Sequence, residues 1–123
     1  MGSTYYDRLG MPIAYTDDNV HIYTFDGVPV AYFVNESVYT YSGRHLGRLK
    51  NGLIRDNQGD VVFFTDQSIG GPVKPLKQLK PLKSLKQLQP LKSVKQLKPL
   101  IPLERIGWSQ VSGRDFFFQL YES

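Results

Sequence analysis

The chain has 123 residues, of which 41% are hydrophobic, with no cysteine and a formal net charge of +4. That length suits one domain with a single modest core, and the missing cysteine excludes disulfide stapling, thiolate chemistry and cysteine-ligated metal sites. The charge is unevenly spread: residues 1–71 carry five basic and eight acidic side chains, 72–103 carry eight lysines and no acid, and 104–123 carry two basic and three acidic ones. The first residues show no basic segment followed by an apolar run, and no stretch approaches the ~18 apolar residues of a membrane span. A soluble, cytoplasmic protein is therefore expected.

Four hairpin-like units open the chain. Gly10, Gly27, Gly43 and Gly59 recur at intervals of seventeen, sixteen and sixteen residues. Upstream of each lies a short segment such as Ile22-Tyr23-Thr24-Phe25-Asp26, and downstream another such as Val28-Pro29-Val30-Ala31-Tyr32. β-Branched and aromatic residues spread over four to six positions, with turn residues at both ends, predict strand pairs. The glycine supplies the positive φ of a tight turn. A second set of turns joins successive units at Asp17-Asp18-Asn19, Asn35-Glu36-Ser37, Asn51-Gly52 and Asp66-Gln67-Ser68. One hairpin alone is marginal in water. Four can bury a face against one another by closing around a pseudo-four-fold axis, or can run on as an open meander.

From Pro72 the sequence divides into nines, each a variant of Pro-Leu-Lys-x-Leu-Lys-Gln-Leu-x, as far as Gly107. Within them an apolar residue returns at every third position from Val73 to Ile106. A strand would send such a series to both faces in turn, and a long α-helix would wind it around its surface while its prolines broke it. Polyproline II keeps the series on one side and accepts proline. A run of short 3₁₀ or α turns, each restarted by a proline, is the alternative. Four nonamers matching four hairpins predicts a ribbon wrapped around the hairpins, leucines laid along them and lysines facing water. The tail, 108–123, holds Trp108, Phe116, Phe117, Phe118 and Tyr121 and is expected to pack back as a closing strand or short turn.

The four units around Gly10, Gly27, Gly43 and Gly59, followed by Gly70-Gly71-Pro72 and the Lys-Pro-Leu triplets, resemble the uncharacterised bacterial proteins grouped as the four-fold beta-flower family. The resemblance spans most of residues 5–120. It implies a mainly β fold of four hairpins wrapped by the triplet segment, and it brings no activity and no catalytic residues. The expected organisation is one domain, 1–123, made of hairpins (5–71), nonapeptides (72–107) and an aromatic tail (108–123).

For function, the lysines Lys74, Lys77, Lys80, Lys83, Lys86, Lys92, Lys95 and Lys98 stand out. They could form an anion-binding edge for nucleic acid or an anionic membrane, although the arginine forks and interleaved aromatics of nucleic-acid readers are absent from this stretch. Solvation of the ribbon explains them as well. His21 and His45 show no metal-ligand spacing, no G-x-S-x-G elbow or phosphate-cradling loop is present, and Asn35-Glu36-Ser37 reads as a turn. Tyr15, Tyr23, Tyr32, Tyr39 and Tyr41 read as hairpin packing. The expectation is a non-enzymatic structural or protein-interaction module without cofactor or metal. Leucines left uncovered by the hairpins would seek a second copy or a protein partner, and a charge-driven binder of nucleic acid or anionic membrane is the rival reading.

Overall fold

A computed structural model describes residues 2–119. Among these, eight strands run in sequence order: β1 Ser3–Tyr6, β2 Pro12–Thr16, β3 His21–Thr24, β4 Pro29–Val34, β5 Ser37–Tyr39, β6 His45–Lys50, β7 Leu53–Asp56 and β8 Val61–Phe64. Each pairs antiparallel with its neighbour, and Tyr6 opposite Phe64 closes β1 on β8, so the hairpins form a closed barrel rather than an open meander. Closure removes both sheet edges, the standing liability of a short-stranded sheet.

The alternation expected of strands is visible in how the side chains cluster. Tyr5, Ala14, Ile22, Ala31, Val38, Ile54 and Phe63 belong to one buried interior cluster, while their neighbours Tyr6, Tyr15, Tyr23, Tyr32, Tyr39 and Phe64 form separate clusters outside it. Small Ala14, Ala31 and Gly47 leave interior room for the rings of Tyr5, Phe33 and Phe63, the size alternation that fills a small barrel. Each hairpin also carries a register shift next to its turn, between Tyr5 and Tyr6, Ile22 and Tyr23, Val38 and Tyr39, and Ile54 and Arg55. The extra residue on the partner strand is Ile13, Val30, Leu46 or Val62, and each packs in or against the interior cluster. Bulges bend and twist a sheet. Four at equivalent places let strands this short curl into a ring.

The turns follow the chemistry of their residues. Asn19, Asn35 and Asn51 adopt left-handed φ values of 62°, 55° and 53° in the connections between hairpins. At the other turns Asp7 Oδ1 accepts from the amides of Leu9 and Met11, and Asp56 Oδ1 from those of Gln58 and Asp60. Thr24 and Thr40 stand at the same place and accept from Val28 and Arg44.

Residues 73–105 contain neither strand nor helical turn, which removes the short-turn alternative for them. The tail makes a parallel bridge from Trp108 to Val61 and then a single helical turn, α1 Gly113–Phe116, with Ser112 as its N-cap. Phe116 and Phe117 enter the interior cluster against Phe63, at centroid distances of 5.5 and 5.3 Å, so the tail plugs the barrel. Tyr121 lies outside the described residues.

His45 on β6 is buried beneath the ribbon. Its Nε2 lies 3.0 Å from Ser37 Oγ, its amide donates to Gln96 Oε1 at 2.8 Å, and its ring meets Tyr39 edge-on at 5.1 Å. Burial, with Arg48 nearby, lowers its pKa from 6.5 to about 4. The unfolded chain accepts the proton near pH 6.5, whereas the folded chain refuses it until about pH 4. Stability should therefore fall as pH drops through that window, by on the order of 2 kcal/mol, with the His45 contribution fully lost below about pH 4. Urea unfolding midpoints measured from pH 7 downward should show this slope, and a His45→Asn variant should lack it.

Candidate functional site

The ribbon repeats its surroundings every third residue and so has three faces. One face anchors it. Amides on this face donate to carbonyls at the hairpin tips: Gln78 to Gly10 (2.8 Å), Ser84 to Phe25 (2.9 Å), Gln87 to Gly27 (2.9 Å), Ser93 to Tyr41 (2.8 Å), Gln96 to Gly43 (2.7 Å) and Arg105 to Gly59 (3.0 Å). Pro75 and Pro102 occupy the places equivalent to Ser84 and Ser93, and proline has no N–H to donate. Between these bonds the carbonyls of Leu76, Leu85, Val94 and Leu103 press on Gly10, Gly27, Gly43 and Gly59. A Cβ on any of these glycines would lie 1.9 to 2.0 Å from the carbonyl oxygen. Nine ribbon residues separate successive anchors, so one nonamer serves one hairpin.

The second face carries the lysines, and it meets the seams between hairpins on the outer wall. Three seams are aromatic. Tyr15 faces Tyr23, Tyr32 faces Tyr39 and Tyr6 faces Phe64 across paired strands, with centroids 6.1, 6.2 and 5.5 Å apart. Lys83 sits over Tyr15 at 4.3 Å, Lys92 over Tyr32 at 4.4 Å and Lys86 over Tyr23 at 5.1 Å. Lys83 and Lys86 also hold Asp17, at 3.0 and 2.8 Å, and Lys77 pairs with Asp66. Lys86 and then Lys83 keep the Asp17 carboxyl below the usual range. The fourth seam differs. Arg48 stands opposite Arg55, a like-charge pair that needs relief. Arg48 Nη2 donates to Pro99 O at 2.6 Å and Arg55 Nη1 to Arg105 O at 2.9 Å. The ribbon positions that are lysine in the other nonamers become Ile101 and Glu104 here, and Glu104 lies 3.6 Å from Lys50.

The third face is leucine, and it faces water. From Val73 to Ile106 all twelve triplet residues are 79 to 96% exposed. This corrects the expectation that leucines line the hairpins while lysines solvate the outside. The physical reason is the wall itself. A lysine stem covers a tyrosine ring while its ammonium meets the π face or a carboxylate, and a leucine offers only the cover. With one face hydrogen-bonded and another given to lysine, leucine is left outside.

The expected anion-binding lysines are thus unequally placed. Lys77, Lys83 and Lys86 are committed to acids and rings, and Lys92 and Lys95 lie over Tyr32 at 4.4 and 6.0 Å. Lys74 Nζ donates to the Gly70 and Pro72 carbonyls. Lys80 borders a recess of about 240 Å³ with Thr4 and Asp17, and Lys98 borders another of about 510 Å³ with Asn35, Glu36 and Arg48. His21 pairs with Asp18 at 2.6 Å while His45 is buried elsewhere, so no histidine pair forms. Among the described residues no group of three or more His, Asp or Glu could hold a metal, and no helix is long and apolar enough to cross a membrane.

Eight strands closed by four equivalent hairpins, strapped by four nonamers, agree with a match to the 4-fold beta flower protein family over residues 3–117. The chain belongs to that family. No curated protein and no solved structure matches it. In this flower the hairpins are petals, and the ribbon binds the petal tips together.

Sequence reasoning missed the Arg48–Arg55 seam, although its signal was present: the arginines replace aromatics in the petals just where Ile101 and Glu104 replace lysines in the ribbon. Ribbon docking makes a sharp distinction between two glycines. Gly43 has φ of 97° and no room for a Cβ, whereas Gly70 has φ of 78° and open space around it. Gly70→Ala should cost about 1 kcal/mol through its backbone conformation alone. Gly43→Ala should cost at least about twice that and should speed cleavage of the ribbon by a lysine-specific protease. Equal costs and equal cleavage would contradict the docking.

Proposed function

We propose that this beta flower is a non-enzymatic interaction module whose working part is the leucine edge. The observation that carries this reading is the unbroken row of exposed triplet residues from Val73 to Ile106. Single exposed leucines are ordinary, but a contiguous apolar strip on a soluble surface marks an interaction site. Burying such a side chain fully yields roughly 1.5–3 kcal/mol, so twelve in a row represent on the order of 20 kcal/mol before the costs of association. The barrel supplies rigidity. Because the ribbon is stapled to four petal tips, its edge needs little ordering on contact, and that favours affinity.

The rival reading, a charge-driven binder working through the lysine array, draws support from the absence of acids across 72–103. It is weakened by the turn of Lys77, Lys83 and Lys86 toward Asp66 and Asp17.

Replacing Leu82 and Leu88 together by Gln tests the interaction reading. Retention on a hydrophobic-interaction column should fall clearly, while stability should change by no more than about 0.5 kcal/mol, as expected for side chains that touch little. A variant that unfolds would place the leucines in the core, and unchanged retention would leave the edge without a role.

A further inference from the structure

We propose that the leucine edge docks on an anionic lipid bilayer, its leucines entering the boundary between headgroups and acyl chains and its lysines meeting the lipid charges. This rests on the interaction reading above and names the partner. Four observations favour lipid over other occupants.

The first is the make-up of the edge. From Val73 to Leu103 it consists of Leu and Val alone, without the Trp, Tyr or Arg anchors that dominate protein interfaces. A row of like aliphatic side chains has no shape to match with a shaped partner, but it fits hydrocarbon well. The second is its depth. The edge is one side chain high, and amphipathic elements at a bilayer surface bury only such a shallow layer. Deeper entry is opposed, because ribbon backbone groups beyond those bonded to the petal tips need water.

The third is charge. A lysine follows most of the apolar residues in the triplet, and no acid occurs across 72–103. Two such edges brought together would repel each other, so a second copy is disfavoured. Anionic lipid reverses the sign of that term. Lys80 and Lys98 are exposed on the ribbon and stand nearest to such lipid charges. The fourth is the order of the faces. The leucines stand outermost and would hold nucleic-acid phosphates away from the ammonium groups, with no aromatic residue in 65–107 to stack on bases.

The test is flotation of the full chain with vesicles of phosphatidylcholine, with and without phosphatidylserine, at low and moderate salt. The natural sequence should float with the anionic vesicles, and more weakly as salt rises. A variant carrying Leu82→Gln, Leu85→Gln, Leu88→Gln and Leu91→Gln should bind roughly tenfold or more weakly with an unchanged thermal midpoint. Lys80→Gln and Lys98→Gln should each weaken binding about fivefold. If the natural sequence stays with the vesicle-free fraction while hydrophobic-column retention still depends on the leucines, the lipid proposal falls and the interaction reading stands. Flotation unaffected by the four substitutions would overturn it, as would a stable dimer that hides the edge in sedimentation equilibrium. So would oligonucleotide binding kept by the leucine variant in the absence of flotation.

Discussion

At each petal tip a ribbon carbonyl rests against a glycine Cα that no side chain could replace, and two residues later a ribbon amide donates to that glycine's own carbonyl. Leu76, Leu85, Val94 and Leu103 provide the carbonyls, and Gln78, Gln87, Gln96 and Arg105 the amides. Much else follows from this contact. Its nine-residue spacing matches ribbon to barrel, its fixed sense sets which residues face the wall, and its dependence on the backbone frees the side chains for other uses. The same glycines close the hairpin turns, so one residue type serves both the barrel and its strap.

With the backbone pinned, side-chain chemistry sorts itself by face. Lysines fall on tyrosine seams, where contacts such as Lys83 over Tyr15 contribute roughly 0.5–1 kcal/mol at exposed sites. The tyrosines stack across their paired strands, and the lysine stems complete their cover. At the fourth seam the petals present Arg48 and Arg55, and the ribbon answers with carbonyls and with Glu104. That exchange shows the two repeats adjusting to one another, and it distinguishes one quadrant of an otherwise four-fold object. What remains, the leucine face, is determined by exclusion.

The repeats and their one-to-one match were legible in the sequence, because Gly10, Gly27, Gly43 and Gly59 and the prolines of the nonamers state their own spacing. The hairpin connections were legible too, since Asn19, Asn35 and Asn51 take the left-handed conformation that asparagine tolerates. The facing of the ribbon was not. A three-residue period says that the leucines share a side, but it carries no information about which side meets the barrel. That depends on where the amides bond, and the interchange of Ser84 and Ser93 with Pro75 and Pro102, which have no amide N–H, hides it. The bulges at Ile13, Val30, Leu46 and Val62 were hidden as well. Two consecutive apolar residues look the same in a sequence whether both enter the core or one is turned out.

Amide hydrogen exchange along 73–105, resolved by residue, tests this arrangement most directly. If the ribbon is docked as described, the amides of Gln78, Ser84, Gln87, Ser93, Gln96 and Arg105 exchange slowly, and those of the leucine and lysine positions between them exchange fast. A ribbon whose amides all exchange alike would contradict the docking, and with it the outward facing of the leucines.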